Sequence, residues 1–509
     1  MKNNNSNSSI KKIKLKFNLI LFKFRSLSFV KHIFVFYLFI TIIGSLLLLM
    51  PISQQSNSGV SYVDALFTSA SAFSDTGLVT QTTATTWTYF GQAIIAILIL
   101  VGGVGWFALK IYLFNIILGR PISFRSRETL AGERGSSKVG DVRRIVKISI
   151  TTLLILVIFA ALLLSLYFYF VEPDPKPFQG HPATHIKDNF IVENPYHDVA
   201  ISFRFGMFHA ISGLNNAGFD IIGSGSLMPY YHHYGLQIIF IILFVIGGLG
   251  YPVLYDLFLW FKSKITKEKF KWSLFSKISM SAYIIVAIIG LSATFSLEIT
   301  KSDGFWKMDG YGSSGDRTMA LIFNTMSTRN AGFSTINFDD LSSGTLMLYI
   351  IMMFVGSAPS STAGGIRTTT IALVVLGLWA RIRGQKSVRA FNRRIPNQTV
   401  GRAYIVTTVA VFIILLGTLV LMTSWVSYGG KLVDKENPVT FLMFETASAF
   451  GTTGLSTGMT SQLSLASKFV LILIMFIGQL GVSSTLLVWD KKNNKSRKFK
   501  YIKEDVTIG

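Results

Sequence analysis

Eight long apolar runs constrain this chain more than any other feature. A bilayer core about 30 Å thick is crossed by about 20 apolar residues in a helix. Runs of that kind lie near residues 29–50, 91–118, 146–171, 235–260, 278–299, 343–380, 403–426 and 465–489. Half of the residues are hydrophobic and 14% are charged, yet the formal net charge is +23. A water-facing surface needs many charges of both signs, so this combination excludes a soluble globular chain and puts the excess charge in loops. A nucleic-acid-binding reading of the basic balance fails for the same reason. The sequence has no cysteine, which rules out disulfides, thiolate metal sites and cysteine nucleophiles. The seven histidines are scattered, with only His232 and His233 adjacent, and point to no metal site.

The eight runs fall into four pairs, and each pair brackets a short segment ending on a small residue, a glycine and a large apolar residue. These are Ser71-Ala72-Phe73-Ser74-Asp75-Thr76-Gly77-Leu78, Gly213-Leu214-Asn215-Asn216-Ala217-Gly218-Phe219, Ser327-Thr328-Arg329-Asn330-Ala331-Gly332-Phe333 and Ser448-Ala449-Phe450-Gly451-Thr452-Thr453-Gly454-Leu455. They recur roughly 110 to 140 residues apart, a period that marks internal duplication. The stretches before the glycines, such as Tyr62 to Phe73 and Val439 to Phe450, are about 12 residues long, too short to span and suited to a re-entrant half-helix. A second motif follows each segment about 24 to 29 residues later: Val101-Gly102-Gly103-Val104-Gly105, Ile246-Gly247-Gly248-Leu249-Gly250, Val355-Gly356-Ser357-Ala358-Pro359 and Ile477-Gly478-Gln479-Leu480-Gly481. Taken singly, its glycines are explained by close helix packing in lipid; the regular offset adds support for duplication. The expected fold is an all-α polytopic membrane protein: eight transmembrane helices in four helix–pore-helix–filter–helix repeats around a pseudo-fourfold pore.

Loop charge gives the expected orientation. The links from Arg120 to Lys147, Lys262 to Lys277 and Arg381 to Arg402, and the tail from Lys491 to Lys503, are basic, whereas residues 51–90 contain no lysine or arginine. The positive-inside rule puts these links and both termini in the cytoplasm, with all four glycine segments opening outward. The expected organisation is a basic tail 1–28, repeat one 29–118, a link 119–145, repeat two 146–261, a link 262–277, repeat three 278–380, a link 381–402, repeat four 403–490 and a tail 491–509. The basic N-terminal stretch is read as leading into a retained first membrane helix, because the apolar run after it is too long for a signal peptide.

An ion that sheds water needs oxygens in its place, and backbone carbonyls supply them without net charge. Glycine adopts positive φ without steric cost, which allows a tight loop to turn its carbonyls inward. The partial negative charge at the end of each short helix favours a cation. The candidate ion-binding residues are therefore Asp75, Thr76 and Gly77; Asn216, Ala217 and Gly218; Asn330, Ala331 and Gly332; and Thr452, Thr453 and Gly454. Leu78, Phe219, Phe333 and Leu455 are expected to wedge each segment against its surroundings. Arg329 beside such a site requires compensation, with Glu445 as a candidate partner, since unpaired charge inside a membrane is costly. Asn215, Asn216 and Asn330 either line the mouth or tie the loops together. In the third repeat, Gly356-Ser357-Ala358-Pro359-Ser360-Ser361-Thr362-Ala363-Gly364-Gly365 should break the returning helix at membrane depth, where irregular backbone is tolerated only when it lines a cavity or is buried in protein. No nucleotide loop or catalytic constellation is present: Gly132-Glu133-Arg134-Gly135 lacks the lysine and hydroxyl of a phosphate-binding loop, so no enzymatic activity is expected.

The stretch from Phe444 to Gly458, with Asn215 to Asp220 and Arg329 to Phe333, resembles the filter sequences of the Trk/Ktr/HKT superfamily of potassium transporters, and the likeness runs from about residue 30 to 490. No extra hydrophobic pair precedes the first unit, which fits the Ktr-type membrane subunit better than the longer Trk type. The resemblance implies potassium uptake, with sodium dependence as an open variant, and a homodimer with one pore per chain. It also implies a cytoplasmic ring of nucleotide-binding regulator of potassium conductance subunits. No cofactor beyond the ion itself is implied, and membrane lipid is the expected partner of the basic links. In the family, the stretch matching Gly356 to Gly365 is a mobile gate below the filter. Two departures stand out. Gln479 occupies a place where the family usually has an arginine facing the gate, which predicts a leakier or differently regulated gate. Asp75 stands where an uncharged residue is usual; it either raises the local cation concentration or turns away to cap a neighbouring amide.

Two other classes compete with this reading. A secondary transporter of another small cation or solute would show inverted repeats and a midplane pocket. A non-conducting membrane sensor would leave the four glycine segments unconverged.

Overall fold

The computed structural model describes residues 29–56, 58–104, 142–178, 190–301, 304–359, 361–427, 438–482 and 485. The expected tails 1–28 and 491–509, most of the 119–145 link, Gly105 and Ser360 lie outside these residues. Short turns apart, the helices follow one another in four sets. The first holds α1 (Phe29–Leu49), α2 (Tyr62–Phe73) and α3 (Tyr89–Val104); the second α4 (Val142–Phe170), α5 (Val199–Leu214), α6 (Tyr234–Gly248) and α7 (Tyr251–Thr266). The third holds α8 (Leu274–Thr300), α9 (Ser314–Ser327), α10 (Ser343–Phe354) and α11 (Thr368–Ile382); the fourth α12 (Asn397–Ser427), α13 (Pro438–Gly451) and α14 (Leu465–Leu480). A hairpin of β1 (Arg389–Ala390) and β2 (Arg393–Arg394) interrupts the otherwise helical chain within the 381–402 link.

The long helices are built for lipid. On α8 the buried positions include Ser276, Ser279, Tyr283, Gly290, Thr294 and Glu298, while Ile284, Ile285, Ile288 and Ile289 are exposed. Polar residues face the protein and isoleucines face outward, the reverse of a helix on a water-soluble protein. Along α4, Leu153, Val157, Ala160, Ala161, Leu164 and Phe168 are buried, and the opposite face exposes Ile155, Ile158, Phe159, Leu162 and Leu166. The α12 helix exposes Val411, Phe412, Leu415, Leu416 and Leu419. Apolar patches this large call for a hydrocarbon solvent.

The short helices α2, α5, α9 and α13 sit inside. At 1.5 Å per residue, the 12 residues of α2 reach ~18 Å, well short of the bilayer core. Three of them start on side-chain caps that satisfy otherwise orphaned amides. Ser61 accepts from the Asp64 amide at 3.2 Å, Asp198 from the Ile201 amide at 2.9 Å, and Ser313 and Asp316 form a reciprocal capping box. Small residues at Ser69, Ala70, Ser71 and Ala72 let α2 be buried over its C-terminal half on every side.

Among the described residues, Ile150–Phe170, Leu274–Thr300 and Asn397–Ser424 are long and apolar enough to cross a membrane as single helices. Within the described residues, two of the expected runs are broken. The 343–380 run divides into α10 and α11, as its small residues and Pro359 predict. The 235–260 run divides into α6 and α7, which meet at 104°. Gly250 at the second break has φ +80°, and Pro252 lies in the first turn of α7, where its missing N–H costs nothing.

Candidate functional site

The four short helices end where the four glycine segments begin, and those segments meet. A Cβ placed on Gly77 would lie 2.3 Å from Ala217 O and 2.9 Å from Gly218 Cα; one on Gly218 would lie 2.8 Å from Gly332 Cα and 3.2 Å from Ala331 O. On Gly332 it would reach Thr453 O at 2.2 Å, and on Gly454 it would reach Thr76 O at 2.2 Å. The contacts run first to second, second to third, third to fourth and fourth back to first. Four backbones separated in sequence close into one ring, and no residue with a side chain fits where the glycines stand.

The same dihedral pattern recurs in all four. Asp75 and Gly77 have φ +50° and +85°, Asn216 and Gly218 +57° and +69°, Asn330 and Gly332 +73° and +83°, and Thr452 and Gly454 +48° and +89°. The residue between each pair does not have positive φ. Positive φ on either side of one ordinary residue is the backbone of a tight turn, which glycine takes without steric cost. Asparagine and aspartate tolerate the left-handed region, whereas β-branched Thr452 is strained there. Each segment is also pinned to its own short helix: Thr76 N–H donates to Ser71 O (2.9 Å), Ala217 to Ser212 (2.8 Å), Ala331 to Ser327 (2.9 Å) and Thr453 to Ser448 (2.8 Å). Leu78, Phe219, Phe333 and Leu455 are buried behind the ring, with Phe333 stacked on Phe244 at 5.7 Å.

The second glycine motif holds the returning helices against this ring. A Cβ on Gly102 would lie 2.1 Å from Phe73 O, on Gly247 2.2 Å from Leu214 O, and on Gly478 2.0 Å from Phe450 O. These are the same carbonyl in three sets, the one two residues before the first positive-φ position. Gly356 differs: its hypothetical Cβ meets Gly364 O at 2.0 Å, within its own loop.

That loop, from Gly356 to Gly365, lies against the side of the ring where the positive-φ residues Asp75, Asn330 and Thr452 stand. Ala358 N–H donates to Gly248 O at 3.0 Å, and Thr362 Oγ1 to Gly247 O at 3.3 Å. Ser357 Oγ donates to Asn330 Oδ1 at 3.1 Å, and Gly364 N–H to Thr452 Oγ1 at 2.7 Å. Pro359 O approaches Gly250, Ser361 N–H bonds Ala358 O at 3.1 Å, and Ala363 is buried. Gly365, at φ +74°, sits close to Gly356 and Gly451. Gln479 Nε2 donates both to Thr362 O (3.1 Å) and to Asp75 Oδ2 (3.1 Å). The two family departures therefore touch each other. Asp75 takes a side-chain amide from the fourth set rather than capping a neighbouring backbone amide.

Arg329 corrects an expectation. Its partner is not Glu445, which instead accepts from Ser456 Oγ (2.8 Å), Thr457 N–H (2.8 Å), Thr457 Oγ1 (3.1 Å) and Thr460 Oγ1. The fully buried Arg329 guanidinium donates to Val355 O and to Gly356 O (3.1 Å), and lies 4.9 Å from the Tyr283 ring centre. Two carbonyls and a π face thus compensate the charge, and they also anchor the loop's first residues. The asparagines tie backbone together: Asn215 Nδ2 donates to Ile211 O (2.8 Å), Asn216 Nδ2 to Phe244 O (3.4 Å) and Asn330 Nδ2 to Gly451 O. Two residues at the site were not singled out from sequence. Arg367 donates to Ala363 O and to Gln479 O (3.1 Å), closing the loop's far end, and Tyr283 faces Arg329. A basic residue two positions after a small-residue run is the available signal for Arg367; Tyr283, one apolar-helix aromatic among many, offers none.

A family profile described as cation transport protein (TrkH) matches residues 23–501. The chain is 34% identical to the uncharacterized cation transporter MG322 of Mycoplasma genitalium, over 94% of this chain and 97% of that one. It is 30% identical to the Ktr system potassium uptake protein D of Bacillus subtilis, over 98% of this chain and all of that one. The crystal structure of the potassium transporter TrkH from Vibrio parahaemolyticus shares the fold, with a TM-score of 0.62 over 91% of this chain and 86% of that one at 18% identity. With outward-facing apolar helices, a matching profile and full-length relatives, this chain is a membrane protein of the TrkH cation transport family, from its Ktr-like branch.

Proposed function

We propose that the chain takes up potassium across the cell membrane through a channel-like pore whose selectivity filter is the four-glycine ring. The observation that carries this reading is the closure of the ring, each glycine standing against the backbone of the next set. In it, the carbonyls of Thr76, Ala217, Ala331 and Thr453 replace water around the ion, and the four short helices direct their negative ends toward it. Asp75, Asn216, Asn330 and Thr452 supply the left-handed turns. The Gly356–Gly365 loop acts as the gate, anchored by Arg329 and Arg367 at its ends and by Gln479 near its middle. An inside-negative potential drives the cation inward with about 2.3 kcal/mol per charge per 100 mV. The name of the Bacillus subtilis relative supports potassium as the ion. The resemblance to Ktr-type membrane subunits supports a homodimer working with cytoplasmic nucleotide-binding subunits, and the positive-inside rule supports basic links that face the cytoplasm.

The test is growth on limiting potassium of cells lacking their own uptake systems, expressing the chain with its cytoplasmic partner, with and without added sodium. Rescue by the wild type, lost in Gly332→Ser at equal membrane abundance, is the expected result. Failure of the wild type to rescue overturns the reading.

A further inference from the structure

Asp75 carries a problem the ring alone does not solve. Its carboxylate is fully buried, Oδ2 receives one hydrogen bond from Gln479 Nε2, and Oδ1 has no partner. Among the described residues no lysine or arginine pairs with it. The amide oxygen of Gln479, Oε1, is likewise shielded and unpartnered. Two acceptor oxygens, one of them on an acid, thus stand without donors within one hydrogen-bonded pair. A buried charge left uncompensated is strongly destabilising, and a buried acceptor without a donor adds to the cost. Two other buried acids are met: Asp64 is paired with Lys468 at 2.9 Å, and Glu445 has both oxygens hydrogen-bonded.

The position says what completes the pair. Asp75 is two residues before Gly77, and Gln479 Nε2 also bonds Thr362 O in the loop, so the carboxylate lies where the ring meets the loop. We propose that Asp75 Oδ1 and Gln479 Oε1 form a cation-holding site between ring and loop, in which the transported alkali ion is the counter-charge of Asp75. The proposal rests on the potassium-uptake reading and names a ligand set within it. The site takes a monovalent ion: one carboxylate matches one charge, and a neutral amide and nearby backbone carbonyls complete the coordination. A divalent ion of the calcium type gathers six to eight oxygens, several of them carboxylate. Gln479 is a positioning residue through Nε2, holding Oδ2 so that Oδ1 stays available.

The experiment is a double-mutant cycle read by rubidium uptake, with uptake normalised to membrane abundance. Asp75→Asn keeps the shape and removes the charge, and should raise the half-saturating rubidium concentration about tenfold with a smaller effect on maximal flux, the size expected for one charge-assisted ligand. Gln479→Arg puts a guanidinium beside Asp75 and should produce a similar rise alone, and the double variant should differ from the sum of the two, because contacting groups couple. A half-saturating concentration within twofold of wild type in Asp75→Asn, or independent addition of the two effects, overturns the proposal. A second readout uses purified protein: the thermal midpoint should rise more with potassium chloride over choline chloride in the wild type than in Asp75→Asn, where only the ring carbonyls remain to hold the ion. Equal responses in both overturn the proposal even if no variant transports. Absence of rubidium uptake by the wild type is a different failure, that of the potassium reading.

Discussion

The third set and the other three begin alike and diverge at the helix that returns from the ring. In the first, second and fourth sets a glycine (Gly102, Gly247 or Gly478) presses that helix onto a carbonyl at the end of the short helix. In the third, α10 stops at Phe354, Gly356 packs on Gly364 of its own loop, and α11 resumes only at Thr368. The third set is also the one with an arginine in its glycine segment, and that arginine holds the loop's first carbonyls. Three sets form a rigid frame held by backbone contacts that leave no space. The third set trades that contact for hydrogen bonds that side chains can release. On the proposed reading, motion would be concentrated in this one loop while the ring stays fixed.

The largest effect that would break this contrast is at the ring itself. Gly332→Ser puts a side chain 2.2 Å from Thr453 O at a positive φ, and rubidium uptake should fall to the empty-vector level. Residual uptake near wild type would mean the ring does not carry the ion.

Next come the frame glycines. Gly478→Ala and Gly247→Ala force a Cβ into a backbone carbonyl, and overpacking of this kind costs about 1–3 kcal/mol. Both should lower the thermal midpoint of the purified protein. Gly356→Ala meets Gly364 O in a loop able to yield, so it should change gating, read as altered flux, more than the midpoint. Equal loss of midpoint in all three would erase the distinction between frame and loop.

The Arg329 anchor should show in exchange. Arg329→Gln removes donors from Val355 O and Gly356 O, each buried acceptor costing about 1–3 kcal/mol when unsatisfied. Amide hydrogen exchange should then rise over residues 355–367 while α2 and α13 remain protected. Uniform acceleration across the protein would point to a general packing role instead.

The smallest expected effect is at Thr452. Its Oγ1 accepts the Gly364 N–H at 2.7 Å, a bond worth about 1 kcal/mol. Thr452→Val should loosen the loop and shift flux by severalfold, and Thr452→Ser should restore it. If Ser fails where Val fails, the methyl group rather than the hydrogen bond matters.

Much of this arrangement was legible in the residues. The stretch read as a half-helix from Tyr62 to Phe73 is α2, because its length, cap and terminal glycine segment are local features. The break after Phe354 followed from Pro359 and a run of small residues. The break at Gly250 is not legible locally, because Gly247-Gly248-Leu249-Gly250 reads equally well as a packing motif. The partner of Arg329 was misassigned for a different reason. Sequence shows that a buried cation needs compensation, but not that carbonyls and a tyrosine face can supply it in place of a carboxylate. Likewise Asp75 and Gln479, 404 positions apart, each looked like an isolated departure. Tertiary packing brings the first set against the fourth, here and where Lys468 meets Asp64.

The central claim is that one chain carries a complete four-part ring through which an alkali cation passes. Rubidium influx under an imposed inside-negative potential, measured for wild type and for Ser substitutions at Gly77, Gly218, Gly332 and Gly454 in turn, tests it directly. The account predicts influx in the wild type, competed by potassium, and its loss in all four variants at equal membrane abundance. Wild-type-like influx in any variant, or none in the wild type with its cytoplasmic partner present, would contradict it.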